Sequence, residues 1–268
     1  MSKTVKLRKG LDISLIGTAN KIKSELVMPK TVSVKPSDFH GMTPKMVVKE
    51  GDSVKAGSTI FCDKYNEVVK CASPVSGKIE AIVRGEKRRI MEVIISADSE
   101  TQYESSGAMD LSSMSNEAVK DAILASGLWL CIKQRPLDIV ANPKNEAKAI
   151  FVSAFDSSPL APDFDYVLHG KNEEFQKGLD ALAKLTSGKV HLTLNGKVSA
   201  DSTFTDAKGV EINKISGKHP AGNVGTQIHH IDPVNKGEFV WTVNAQDVAL
   251  IGRYFSTGKY DVRKTIAI

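Results

Sequence analysis

Between Ser216 and Thr226 the chain reads Ser-Gly-Lys-His-Pro-Ala-Gly-Asn-Val-Gly-Thr, and Gln-Ile-His-His follows to His230. Glycines at 217, 222 and 225 leave backbone N–H groups uncovered, Lys218 adds a cation, and His219, His229 and His230 fall within twelve residues. Bare amides beside a cation can cradle an anion or a nucleotide. The same composition also makes a plain glycine-rich turn, or a surface for a partner protein. Gly217, Lys218, His219, Gly222, Gly225, Thr226 and His229 are therefore the candidates for ligand or partner contact. The order is not that of a P-loop, which needs G-x-x-x-x-G-K-[ST]. His229 and His230 are adjacent, and on a strand they would face opposite sides, so no metal site is expected from them. The chain has no G-x-S-x-G and no H-E-x-x-H, and its acidic residues are dispersed. Asp156, Asp163 and Asp165 lie around Pro159 and Pro162, in an expected loop. No catalytic residue is expected, because no active site complete in itself is visible.

A second group with possible chemistry is Lys64, in Asp63-Lys64-Tyr65-Asn66-Glu67. It lies inside a stretch, Met46–Ile95, of short alternating segments cut by glycines at 51, 57, 77 and 85. Val54, Ile60, Val68, Val75, Ile79, Ile82, Met91, Val93 and Ile95 supply the apolar set. Glycine suits positions that need positive φ, and so many short strands must close or stack to hide their edges. A small barrel or sandwich is predicted. The runs V-x-x-G-D-x-V-x-x-G (Val48–Gly57) and A-x-P-V-S-G-x-I (Ala72–Ile79) resemble the biotinyl/lipoyl half-barrel family. Attachment domains of that family carry a modified lysine at the tip of the intervening hairpin. Here Met-Lys-Met is missing and Lys64 is off the expected position, so the resemblance implies the fold without its swinging arm.

The elements around these groups divide the chain. Residues 3–17 read as a strand, a turn at Gly10 and a second extended piece, and Lys21–Val34 continues extended, with Pro29 barring a helix and Pro36 barring its resumption. His40, beside Gly41, is expected to pack under the barrel. Residues 1–98 are taken as a β domain and the Ser-rich 99–115 as a linker. Ser115 then caps a helix over Asn116–Ser126 that stops at Gly127. A buried run, Leu128–Ile132, bears Trp129. Ala149–Ala154, Tyr166–His169, Val190–Leu194, Val210–Ile215 and Phe239–Val243 read as strands, with 216–230 as a loop. Asn172–Leu185 and Asn244–Ser256 read as amphipathic helices, the second with Asn244 as N-cap. Strand, helix and strand in succession argue for a parallel crossover. The fold class is α/β (α+β overall): a β barrel-sandwich domain, then a Rossmann-like α/β domain over 116–262. Residues 263–268 read as the start of a strand in a further domain.

Composition excludes several functions. With 268 residues, 41% hydrophobic and 25% charged, the chain has cores to bury but no apolar run near the about 18 residues that span a bilayer. The N-terminus is basic without an apolar region, unlike a secretory signal. Cys62, Cys71 and Cys131 lack metal-ligand spacing and are expected to be reduced. Residues 1–98 hold 18 Lys/Arg against 11 Asp/Glu, and residues 99–268 hold 18 against 20. Only Lys87-Arg88-Arg89 clusters, on an expected hairpin turn, and no nucleic-acid signature accompanies it. Nucleic acid is not an expected partner.

The opening K-x-R-K-G-L-D-I-S-L-I-G (Lys6–Gly17), Asp38–Met42 with Lys49–Gly57, Ser73–Gly77 and Gly217–Val234 together resemble the NqrA family, the NqrA subunits of the sodium-translocating NADH:quinone reductases. The resemblance covers essentially the whole chain and stops partway through the family's length. It implies a peripheral subunit on the cytoplasmic face of the bacterial inner membrane. There it would dock on other subunits of the complex, chiefly one that is integral to the membrane. That complex passes electrons from NADH to ubiquinone and exports Na⁺. The RnfC subunit of the Rnf complex and the NADH-binding flavoprotein subunit of complex I are similar chains. They hold flavin and nicotinamide on a glycine-rich loop and an E-C-E-P turn. The corresponding stretches are Gly127–Pro136 and Asp156–Pro159; their glycines are gone, and Trp129 and Lys133 would block or reshape the phosphate path. Three scattered cysteines do not make an iron–sulfur site either. The expectation is a nucleotide-binding fold without its nucleotide and no tightly bound cofactor, with ubiquinone the one ligand left open. Two alternatives stand: a soluble flavin- or NADH-binding electron-transfer module, and a lipoyl-like carrier acylated on Lys64.

Overall fold

A computed structural model describes residues 2–17 and 20–268; Met1, Thr18 and Ala19 of the expected β domain lie outside the described residues. The chain divides into two compact units. One comprises Glu25–Lys144 and Arg253–Val262; the other comprises the chain up to Ser24, Asn145–Gly252 and Arg263–Ile268.

The division departs from the expected boundaries: the N-terminus belongs to the α/β unit, while residues 99–144 and Arg253–Val262, which include parts of the expected α/β domain, belong to the barrel unit. β1 (Thr4–Lys6) is a strand of the α/β unit, where it pairs in parallel with a strand near residue 214. Its half-buried Val5, with Leu7, packs on that unit's core, so burial ties the N-terminus to the α/β unit. The Ser-rich 99–115 stretch is fastened to the first unit rather than hanging free. Ala56 donates its N–H to Gln102 O at 2.9 Å, Glu104 N–H to Ala56 O at 2.9 Å and Met109 N–H to Phe255 O at 2.9 Å. Leu111 is buried.

The barrel-sandwich consists of β2 (Thr31–Val34), β3 (Pro44–Met46), β4 (Ser53–Val54), β5 (Thr59–Asp63), β6 (Asn66–Ala72), β7 (Gly77–Arg84) and β8 (Ile90–Ala97). They form an antiparallel sheet in the order β2-β8-β7-β4 and another in the order β3-β5-β6. Ile60, Phe61, Ile79, Val93 and Ile95 fill the interior, but Val68 and Met91 point outward. Alternation explains this: β6 turns Val69 and Cys71 inward, which sends Val68 to solvent. Gly85 has φ −94°, not a positive angle; Lys87 and Arg88 take φ 53° and 59° in the β7–β8 turn instead. His40 is exposed rather than packed beneath the barrel. α1 (Asn116–Ser126) forms as the caps require. Ser115 Oγ accepts from Ala118 N–H at 3.1 Å, and Gly127 ends the helix at φ 85°. β9 (Lys133–Arg135) and β10 (Ile139–Val140) make a short antiparallel ladder.

The α/β unit has β1, β11 (Ala149–Ser153), β12 (Lys189–Asn195), β13 (Glu211–Ser216) and β14 (Val240–Asn244), adjacent in the order β1-β13-β12-β11-β14 and parallel throughout. β11 and β12 are buried along nearly their whole length, as parallel strands covered on both faces are. α2 (Phe164–Val167) replaces the expected strand Tyr166–His169. Asp163 Oδ1 accepts from Asp165 N–H at 3.0 Å and starts a helical turn, with Phe164 and Val167 buried three residues apart. α3 (Asn172–Ala183), the unforeseen α4 (Ser202–Thr205), α5 (Val224–Ile231) and α6 (Ala245–Thr257) complete the elements. Residues 263–268 form no strand; Thr265 exchanges two hydrogen bonds of 3.0 Å with the side chain of Gln246.

Candidate functional site

β13 delivers the chain to the candidate loop. Leu7 donates its N–H to Ser216 O at 2.8 Å, so the segment after β1 runs beside the loop from its first residue. Gly217 bends away at φ 149°, where a Cβ would come within 2.7 Å of Leu7 Cβ. Beyond it the loop is held on two sides. His219 donates its N–H to Asp12 Oδ1 at 2.9 Å and accepts from Leu11 N–H at 3.0 Å. On the other side Ser157 Oγ accepts the Gly222 N–H at 2.8 Å and shares a hydrogen bond of 3.0 Å with His219 Nδ1. Asp156–Pro159 is thus the clamp of the 217–222 turn. Gly222 is a glycine for space rather than for positive φ: an added Cβ would lie 2.1 Å from Ser157 N.

The second half of the expected loop is helix. Asn223 Oδ1 accepts the Gly225 N–H at 2.8 Å, and α5 begins there. Ile228 and Ile231 bury themselves with Phe151, Phe155, Ile215 and Val240, which turns His229 and His230 outward. The histidine rings meet edge to face at 5.0 Å. Among the described residues no group of three or more His, Cys, Asp or Glu could hold a metal. Gln227 is fully buried and donates to Ser153 Oγ at 2.9 Å, while its Oε1 takes no partner among the described residues.

The structure therefore brings Gly217, His219 and Gly222 together as one buttressed turn. Lys218 is exposed, Gly225 is exposed in the first turn of α5, Thr226 is half-buried, and His229 is exposed on the helix. Thr226 lines an open groove of about 510 Å³ with Pro220, His230, Lys6, Arg8 and Lys9. Ser157 and Asp12 lie far from the loop along the chain, which hides their link to it in the sequence. The Lys6–Lys9 run, three cations in four residues, is visible in the sequence but its place beside the loop is not.

Other groups with possible chemistry are engaged in packing. Trp129 is buried in a 3₁₀ turn with Leu128 and Leu130, and donates Nε1–H to Ala141 O at 2.7 Å. Gly127–Leu130 and Ile132 are buried, and Lys133 is exposed on β9. Lys64 sits at the tip between β5 and β6 with its ammonium 5.7 Å from the Tyr65 ring centroid. Burial pushes the thiol pKa of Cys71 far up and that of Cys62 up, which keeps both as inert thiols.

Residues 5–98 match the NqrA N-terminal barrel-sandwich hybrid domain, and residues 114–260 match the NqrA second alpha/beta domain. Curated proteins named as the A subunit of Na(+)-translocating NADH-quinone reductase are similar over almost the whole chain. The protein of Neisseria meningitidis serogroup A is 38% identical over 266 residues, which is 98% of this chain and 59% of that protein. That of a Marinomonas species is 39% identical over 265 residues, with the same shares covered. That of Yersinia pestis is 38% identical over 266 residues, again 98% and 59%. The chain spans 59% of the length of these relatives. It belongs to the NqrA family.

Proposed function

We propose that this NqrA-family chain acts as a peripheral subunit of a Na⁺-translocating NADH:ubiquinone reductase, with the Gly217–His229 turn and helix as a contact surface for other subunits. The complex couples electron transfer from NADH to ubiquinone with Na⁺ export, and the chain lies on the cytoplasmic face, docked on an integral membrane subunit. The name of the relatives supports the complex. The absence, among the described residues, of a helix long and apolar enough to cross a membrane agrees with a peripheral place. The observation that carries the role of the loop is its clamp: Ser157 and Asp12 hold the turn from two sides while Lys218 and His229 stay exposed. A preformed surface loses little conformational freedom on docking.

The chain contributes no tightly bound flavin or nicotinamide. Buried Trp129 and its neighbours take the place of the bare loop such a group needs. Ubiquinone is the one further ligand in this reading, met at a surface shared with the rest of the complex. Absorbance of the purified chain tests the first point: no flavin band is expected, and a stoichiometric one would overturn it. Intact mass tests Lys64, where a lipoyl or biotinyl adduct would favour a carrier instead.

A further inference from the structure

The segment after β1 places charge and apolar surface side by side. Lys6, Arg8 and Lys9 are exposed, line the groove beside Thr226 and His230, and have no ion-pair partner among the described residues. Their neighbours show that such pairing is otherwise common in this unit. Lys21 meets Asp163 at 2.6 Å, and Lys148 meets Asp232 at 2.8 Å. Directly after the cations come Leu11, Ile13, Leu15 and Ile16, all exposed, with Leu11 at 75% and Ile16 at 107% of full exposure. This is not a loose tail. The Leu11 N–H is bonded to His219 O and the Asp12 carboxylate to His219 N–H, so the main chain is fixed while the side chains face outward.

We propose that Lys6–Ile16 is a docking surface for an anionic phospholipid bilayer, with the phosphate headgroups at the Lys6–Arg8–Lys9 groove and the apolar side chains in the interfacial layer. Interfacial segments need apolar groups to enter the acyl boundary and cations to meet the phosphates. Both are supplied here within eleven residues of one segment. A soluble phosphate would account for the groove but leave Leu11, Ile13, Leu15 and Ile16 exposed. A protein partner would be expected to meet them as a shaped apolar patch, whereas they follow one another along a segment without regular secondary structure. The inference rests on the reading of the chain as a peripheral part of the complex, and its test uses no other subunit, so the two can fail separately.

The test is co-sedimentation of the purified 268-residue chain with vesicles of phosphatidylcholine alone and of phosphatidylcholine mixed equally with phosphatidylglycerol. Binding is expected to the mixed vesicles, weakened by salt, and little to the neutral ones. Each cation near an anionic surface contributes about fivefold to partitioning, so Lys6→Gln with Arg8→Gln and Lys9→Gln should lower it on the order of a hundredfold. Leu11→Ser with Ile13→Ser should lower it about tenfold or more while leaving the salt dependence in place. All five positions are exposed, and an unchanged thermal melt of both variants is the control. Equal binding to neutral vesicles, undiminished binding by the triple variant, or no vesicle binding by the natural chain would each overturn the proposal. Protection of the three cations by inorganic phosphate without vesicle binding would do so as well, assigning the groove to a soluble anion.

Discussion

At Gly222 the loop has no room for a single methyl group. The missing side chain lets residue 222 lie against the Asp156–Ser157 backbone, with its amide on Ser157 Oγ. Gly222→Ala is therefore expected to destabilise the chain by about 1–3 kcal/mol through overpacking, read as a lower melting temperature. Lys218→Ala, an exposed substitution, should stay within about 0.5 kcal/mol. If Gly222→Ala melts like the natural chain, the clamp is not as described. The sequence marks Gly222 as a residue with an uncovered amide, but the constraint against a side chain comes from Ser157, 65 residues away, and is invisible there. His191 carries a second residue-scale prediction. Burial beside Phe151 pushes its pKa below the ordinary 6.5, an effect that nearby Glu211 only partly offsets. The unfolded chain then binds the proton more readily than the folded one. Stability from this group is complete above about pH 6.5 and declines as pH falls below it. The melting temperature should drop over that range, and His191→Gln should flatten the dependence; an unaltered slope in the variant would remove His191 from the account.

Elements with their own caps were legible, and elements set by distant packing were not. Ser115 and Gly127 bound α1 in the sequence as in the structure, because capping acts within a few residues. α2 and α5 were hidden, since a short turn or a glycine-rich stretch becomes helix only when a side chain such as Asp163 or Asn223 caps it and the core takes its apolar face. β1 was legible as a strand but not as a member of the α/β sheet, its pairing partner being more than 200 residues on. The crossing of α3 and α6 is a further hidden feature. A Cβ on Gly178 would stand 1.9 Å from Val248 O, and one on Gly252 would stand 1.7 Å from Glu174 O. Gly178→Ala or Gly252→Ala must push the helices apart and is expected to cost about 3 kcal/mol or more, far above the gain in helix propensity of about 1 kcal/mol. A stabilised variant would show that the helices do not touch there. The 99–115 stretch makes a separate forecast: amides of Ala56, Glu104 and Met109, bonded at 2.9 Å, should exchange slowly with solvent. Exchange as fast as an open chain would restore the free linker that Ser-rich composition suggests.

For the molecule as a whole, two domains and their fold types were readable from turn spacing and from the alternation of strands and helices. Both family domains match where those patterns lie. The site was readable only in part. Its glycines, Lys218 and the histidines stand out by composition, whereas the groove needs the Lys6–Lys9 run brought beside Thr226 and His230 by the β1–β13 pairing. The exposed turn and helix are proposed to join the chain to the other subunits of the reductase. The most direct test is affinity isolation of the complex from membranes carrying the protein with Lys218→Ala and His229→Ala, both exposed positions. NADH:quinone activity and the recovery of partner subunits would be read beside the thermal melt of the purified chain. An unchanged melt is expected, with recovery and activity down about tenfold, the loss that follows from removing about 1.4 kcal/mol of contact. Full recovery and full activity in the double variant would contradict it.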